Sequence, residues 1–352
     1  MTADERLALI MKEPTEEAVT VEELRALLDS GSRIKHYIGI EISGPLHLGS
    51  LIVTGIKLRD LVKAGIDVTV FLADWHTYIN EKLGKDWELI QELSGMYEMA
   101  FTAFIGSQVR FVRGSELYQS KREYWDDLLR LSTHASVQRI SRTLTIAGRS
   151  EKEELSFAQL FYPVMQVNDI HALGVDLAQG GMDQRKAHML ARDIFPKMGW
   201  KPPVALHHHL LPGLIKPVVV GEEEFSKMSK SKPASAVFIH DDFATIKEKL
   251  EKAWCPAGID VGNPVMEIMK YVVFPTFKSI KIERDKKYGG DVEYPGYEEL
   301  RDAFLSGSLH PVDLKLAAAN YIDQLVKPVR EMLLSNARYV EIVKNLNSSF
   351  IK

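Results

Sequence analysis

The chain has 352 residues, 45% of them hydrophobic, and a formal net charge of −4. That supplies one large core and a second, smaller one, while no apolar run is long enough to span a bilayer and the first residues, with Asp4, Glu5 and Arg6, lack a secretory pattern. The single cysteine, Cys255, excludes an internal disulfide and a multi-cysteine zinc site and fits a reducing cytoplasm, and the weak net acidity leaves any nucleic-acid contact to local basic patches.

In chain order, Thr20-Val-Glu-Glu23 reads as a capping box opening a helix that runs to Gly31. His36 to Glu41 reads as a strand, and His47 opens a helix ending near Ala64-Gly65. Val68 to Leu72 is a second strand, apolar enough to be covered on both faces. Trp87 to Ile105 is an amphipathic helix, followed by a strand at Val109 to Val112. Helices over Tyr124–Ala147 and Leu155–Leu173 interrupt the alternation, as an insertion spanning about 113–160 would. A strand at Val175–Ala178, a helix at Gln184–Phe195 and a strand at Val204–His208 resume it. The pattern predicts an α/β domain with a mostly parallel sheet. Past Lys232-Pro233 the character changes. Asp241 caps a helix through Ala253, another runs from Pro264 to Val273, and Lys278–Tyr294 suits a hairpin or long loop. Helices at Tyr297–Leu305 and Pro311–Leu334 follow, the latter bent or broken near Pro328. The expected division is 1–233 and a mainly helical 234–352.

Two short patches carry most of the chemistry: Gly44-Pro-Leu-His47-Leu-Gly49-Ser50 and, much later, Lys227-Met-Ser-Lys-Ser231. Gly44 and Gly49 allow a sharp turn and close backbone approach to a nucleotide. His47 can donate to phosphate oxygens at a helix N-terminus that favours anions. Lys227 and Lys230 are mobile point charges, and Ser229 and Ser231 add hydroxyls. The pair resembles the signatures of class I aminoacyl-tRNA synthetases, which hold ATP and activate a carboxylate.

Between the patches, Tyr162, Gln166 and Asp169 fall at i, i+4 and i+7 on a helical pattern and share one face. Buried polar groups need partners, so this face is either an internal network or a substrate pocket. Tyr37-Ile-Gly39-Ile-Glu41, Leu72-Ala-Asp74-Trp-His76, Tyr162 through Asp169-Ile-His171 and Gly180-Gly-Met-Asp183-Gln184-Arg185-Lys186 resemble the tyrosyl-tRNA synthetase family, of the archaeal and eukaryotic type, over nearly the whole chain. The resemblance implies a Rossmann-like catalytic domain with a helical insertion and a C-terminal anticodon-binding domain. It places Tyr37 and Asp169 at the substrate phenol, Tyr162, Gln166 and Gln184 at the α-ammonium, Asp183 at the ribose and Gly39 beside the adenylate. It assigns His47, Ser50, Lys227 and Lys230 to catalysis, with Gly49 and Ser229 also at ATP. Two positions depart from the family: Ser50 stands where histidine is frequent, and Ile42, where proline is common, leaves an extra backbone donor.

Plainer readings run alongside. Tyr37 is also a normal strand tyrosine, and Asp183 and Gln184 are normal helix-start residues. His76 and His171 read as satisfied core residues outside the site. His207-His208-His209 invites a metal, but successive strand residues point to opposite faces, and no metal site is assigned. On the RNA side the resemblance puts Arg142, Arg185 and Lys186 against the first acceptor pair, C1-G72, although taken in isolation Arg139, Arg142 and Arg149 read rather as a solvated helix face. Tyr288 would stack on the first anticodon base and Asp313 would accept from a guanine edge; Asp313 also suits a helix first turn. The implied partners are tRNA for tyrosine, L-tyrosine, ATP with Mg²⁺ carried on its phosphates, and a second copy in a homodimer. A tryptophan-specific relative, a small-molecule nucleotidyltransferase and a catalytically silent RNA-binding relative are the rivals. The Tyr37–Asp169 pair, the C-terminal domain and the intact lysine signature argue against each in turn.

Overall fold

The computed structural model describes residues 1–147, 155–216, 227–230 and 232–349. Ser231 and Arg149 lie outside them. The described chain forms two compact units, one of 1–44, 57–98 and 105–209, the other of 45–56, 99–104 and 210–352. Compactness thus separates the chain near His209 and groups the first signature with the C-terminal residues, whereas the sequence reading divides it after Pro233.

The first unit is built on a six-stranded sheet in the order β1-β6-β5-β2-β3-β4. Its strands are β1 Thr15–Val19, β2 Lys35–Ile40, β3 Asp67–Leu72, β4 Arg110–Arg113, β5 Leu177–Gly181 and β6 Val204–His208. All neighbours run parallel except β1, which is antiparallel to β6. Inner strands covered on both faces must be apolar along their length, and β3 is buried from Val68 to Leu72. The sequence pattern missed β1 and the helix before it, α1 Ala3–Met11. Helix α2 Val21–Asp29 starts as expected: Thr20 Oγ1 accepts from Glu23 N–H, and Glu23 returns a bond to Thr20 N–H.

The expected helix from His47 divides into a π-helical turn, Leu48–Val53, and α3 Thr54–Lys63. Thr54 Oγ1 donates to the carbonyl of Gly49, five residues back, at 3.3 Å, which suits the wider turn. Helices α4 Asp74–Ile79, α5 Trp87–Ile105 and α6 Gly114–Ser120 follow. The single helix expected over Tyr124–Ala147 is instead α7 Tyr124–Ser132, α8 Val137–Thr143 and a 3₁₀ turn at Leu144–Ala147. The break is local chemistry: Thr133 Oγ1 turns back to Arg130 O, and Ser136 caps the next helix by accepting from Arg139 N–H. Helices α9 Phe157–Ala172 and α10 Arg185–Ile194 then pack with Tyr37, Phe71, Tyr118 and Tyr124 in one apolar cluster.

The second unit holds α11 Phe243–Lys252, α12 Pro264–Ile268, α13 Tyr297–Leu305, α14 Pro311–Leu334 and α15 Ala337–Ser349, with a two-stranded antiparallel ribbon of β7 Ile280–Ile282 and β8 Val292–Tyr294. Asp242, not Asp241, caps α11 by accepting from Thr245 N–H; Asp241 accepts from Phe238 N–H and from Lys249 Nζ at 2.6 Å. Helix α14 continues through Pro328 instead of breaking there. Its buried face of Leu314, Ala318, Ile322, Val326, Val329 and Leu333 and the Asp323–Arg330 ion pair at 2.7 Å extend to both sides of the proline.

Candidate active site

In the first unit, Asp169 is fully buried on α9. Its Oδ1 accepts from the hydroxyl of Tyr124 at 2.7 Å. Its Oδ2 has no hydrogen-bond partner among the described residues, and His76 Nε2 stands 3.5 Å from it. Burial pushes this carboxyl well above the usual range, while the hydroxyls of Tyr124 and Tyr118 pull it down. Tyr37, from β2, is also fully buried; burial and then the charge of Asp169 raise its hydroxyl, with Gln166 opposing. Gly39 follows two residues along the same strand, where a Cβ would come 2.9 Å from Tyr37 Oη. Its glycine is therefore a requirement of close packing.

Further along α9, Gln166 Nε2 donates to Gln184 Oε1 at 3.1 Å, and Gln184 Nε2 donates to Ile146 O at 3.0 Å. Tyr162 stands edge-on to His76, ring centroids 4.7 Å apart. Gln184 ends a short turn with Asp183 at the mouth of β5, and a Cβ on Gly180 would fall 2.7 Å from Gln184 Cβ. The structure thus brings the buried Tyr37, Tyr162, Gln166 and Asp169 into one polar cluster with the half-buried Gln184. Sequence reasoning missed Tyr124 and set His76 aside. His76 belongs with Asp169, whereas His171 stacks on Trp200 at 3.4 Å. Ile42 N–H, the donor a proline would lack, is used: it donates to Thr77 Oγ1 at 2.8 Å.

The three consecutive histidines do not converge. His207 meets His188 at 2.9 Å, His208 meets Gln179 at 3.1 Å, and His209 meets Glu16.

The second unit gathers both signatures. Leu48 N–H donates to Val237 O and Ile239 N–H to Leu46 O, so residues 46–48 lie along 237–239; Met228 N–H donates to Leu211 O and Leu214 N–H to Ser235 O. Gly44 precedes this segment with φ +133°, a region that favours glycine. His47 caps the π turn: its Nδ1 accepts from Gly49 N–H at 3.1 Å and Ser50 N–H at 3.3 Å. Backbone N–H groups can only donate, so Nδ1 carries no proton and Nε2 carries the ring's N–H. Burial, then Lys230 and Lys227, lower His47 to about 3, which keeps it neutral. A Cβ on Gly49 would meet His47 Cε1 at 3.2 Å. The Ser50 hydroxyl is committed locally, accepting from His47 N–H at 2.9 Å and lying 3.1 Å from His47 O as donor. Ser229 sits beside Lys230, its carbonyl accepting from Lys232 N–H.

Of the residues expected at RNA, Lys186 reaches Arg142 O at 3.4 Å and Thr145 Oγ1 at 3.1 Å through Nζ, while its neighbour Arg185 bonds Glu17 through Nε at 2.6 Å. In the second unit Tyr288 is 64% exposed, with Lys287 Nζ 4.8 Å from its ring centroid. Gly289 and Gly290 follow it at φ +98° and +73°. Asp313 lies in the first turn of α14, after His310, whose ring accepts from Val312 N–H.

The chain matches the family model described as class I tRNA synthetases for W and Y over residues 29–327. It is 45% identical to the tyrosine–tRNA ligase of Pyrococcus furiosus, covering 98% of this chain and 99% of that protein. Its fold is similar to a tyrosyl-tRNA synthetase from Pyrococcus horikoshii solved with L-tyrosine, with TM-score 0.91, 43% identity and coverage of 98% and 100%. The Aeropyrum pernix tyrosyl-tRNA synthetase superposes with TM-score 0.87 at 41% identity, covering 98% of this chain and 99% of that one. The chain therefore belongs to the class I tRNA synthetases, in their tyrosyl branch.

Proposed function

We propose that this chain is a tyrosine–tRNA ligase, which activates L-tyrosine with ATP to tyrosyl-adenylate and pyrophosphate and then transfers tyrosine to the 3′ end of its tRNA. One observation carries the choice of amino acid: the fully buried Asp169 keeps Oδ2 without a hydrogen-bond partner among the described residues. A phenol hydroxyl supplies the missing donor; phenylalanine brings none and leaves the carboxyl buried and half satisfied. Indole also has a donor, so the case against tryptophan rests on Tyr37, whose buried hydroxyl feels the charge of the same carboxyl.

Activation is an in-line attack of the tyrosine carboxylate on the α-phosphorus. Gln166, Gln184 and Tyr162 orient the α-ammonium, Gly39 admits the adenylate and Asp183 takes the ribose. The neutral His47 donates through Nε2–H to phosphate oxygens, and Lys227, Ser229 and Lys230 meet the leaving pyrophosphate. Mg²⁺ would be carried on the ATP phosphates rather than in a protein cage and would neutralise charge there. Ser50 serves by holding His47 rather than by touching ATP. For the RNA, Arg142, Arg185 and Lys186 face the C1-G72 pair, and Tyr288 and Asp313 read the anticodon. These roles make 1–233 the catalytic part and 234–352 the anticodon-binding part. A homodimer is supported by α7, which exposes Trp125 and Leu129 one turn apart at 52% and 63%. The cytoplasm suits a tRNA-charging enzyme with one free cysteine.

Amino-acid-dependent ATP–pyrophosphate exchange with tyrosine, tryptophan and phenylalanine tests the reading. Exchange with tyrosine alone is expected; exchange with tryptophan in its place would overturn the specificity, and none at all would favour the silent relative.

A further inference from the structure

Strand β1 brings a carboxylate to the RNA side of the first unit. Glu17 stands opposite His207 in the β1–β6 ladder, and the register slips between Thr15 and Glu17. Glu16 is hydrogen-bonded to His209, while Glu17 Oε1 accepts from Arg185 Nε at 2.6 Å and lies 2.8 Å from His207 Nδ1. Behind it, His207 Nε2 is 2.9 Å from His188 Nδ1, and both rings are fully buried. His188 Cε1 in turn lies 3.1 Å from where a Cβ on Gly180 would sit. A line of polar contacts therefore runs from the half-exposed Arg185 through Glu17 and His207 to the floor beneath Gly180.

A surface arginine samples many rotamers and loses that freedom when it grips a ligand. Arg185 is held instead at Nε by a carboxylate that lies 2.8 Å from Nδ1 of the buried His207 on its other side. That bond uses one of five guanidinium donors. We propose that Glu17 is a positioning residue for the RNA step: acting through Arg185, it presents the guanidinium to the acceptor stem and takes no part in amino-acid activation. This rests on the reading of Arg185 given above.

The test compares Glu17→Ala, Glu17→Gln, Arg185→Ala and the double variant Glu17→Ala/Arg185→Ala in the full chain. In Glu17→Ala the KM for tRNA in aminoacylation is expected to rise about five- to twentyfold. Tyrosine-dependent ATP–pyrophosphate exchange should stay within about twofold. Glu17→Gln, which keeps the shape and a hydrogen-bond acceptor, should recover part of the loss and carries the test if the alanine variant does not fold. Added to Arg185→Ala, the Glu17 change should do nothing more. Equal losses in both half-reactions, or a full further loss in the double variant, would overturn the proposal. An unchanged tRNA KM in Arg185→Ala would sink the reading of Arg185 and Glu17 with it. A raised KM in Arg185→Ala beside an unchanged one in Glu17→Ala would sink the Glu17 proposal alone.

Discussion

Asp169 in the first unit and His47 in the second are both buried polar groups, yet the chain treats them in opposite ways. Asp169 receives one hydroxyl and keeps its second oxygen unpaired among the described residues. His47 has its Nδ1 filled twice by its own backbone and its own main chain bracketed by Ser50. The first arrangement stores an unmet demand that one kind of ligand can satisfy, which makes it selective. The second fixes a donor in one protonation state and one direction, which suits any nucleotide phosphate. Selectivity and reactivity are thus built from the same material by leaving a bond open or closing it.

Variants can break this contrast. Asp169→Ala should lower kcat/KM for tyrosine in exchange by about a hundred- to a thousandfold, since it removes the acceptor and strands Tyr124; a normal value would remove Asp169 from the pocket. The sheet histidines provide the next cut. Burial lowers His36, His188 and His208 to about 4, 3 and 4, below the ordinary 6.5. As pH falls the unfolded chain takes up these protons first, so stability is full above about pH 6.5 and is lost toward pH 4, by up to about 3 kcal/mol per ring. Denaturant midpoints measured at pH 7.5, 6 and 5 should fall in that order. Lys230→Ala should slow activation about a hundredfold with little change in the KM for tyrosine; a shift confined to that KM would move the lysine to the amino-acid end. Tyr124→Phe should cost about tenfold in kcat/KM for tyrosine and nothing for residual phenylalanine turnover. Smallest of all, Ser50→Ala should lower stability by about 1 kcal/mol, as loss of a helix cap does, with exchange nearly intact. A large loss of exchange without loss of stability would make Ser50 a direct ligand of ATP.

Much of this was legible beforehand for a physical reason. The limits of α5, β6 and α13 were read correctly because their periodicity or their turn residues are local. Gln166 and Asp169 were singled out by their i, i+4, i+7 spacing with Tyr162, and Tyr37 only by the family resemblance, and all three are buried together in the fold. Strand β1 was not legible, since Glu16 and Glu17 interrupt any apolar alternation and its pairing partner is β6, far along the chain. Tyr124 escaped because only the fold lays α7 against α9. The π turn after His47 depends on a hydroxyl five residues ahead of its acceptor, a spacing that helical periodicity does not single out.

The late-pairing strand has one more effect, on solubility. Without β1 the sheet would end on β6, a fully buried Val-Ala-Leu-His-His segment whose bare amides and carbonyls could recruit a strand from another molecule. With β1 in place that border carries Glu16 and Glu17, and the opposite border, β4, carries Arg110 and Arg113. Charged rims of opposite sign discourage stacking of sheets edge to edge between like copies less than two rims of one sign would, so the protection rests mainly on shortness: five residues at one end and four at the other. Cutting away the first twenty residues would therefore be felt first as clumping during expression, before any fault in charging tRNA came to light.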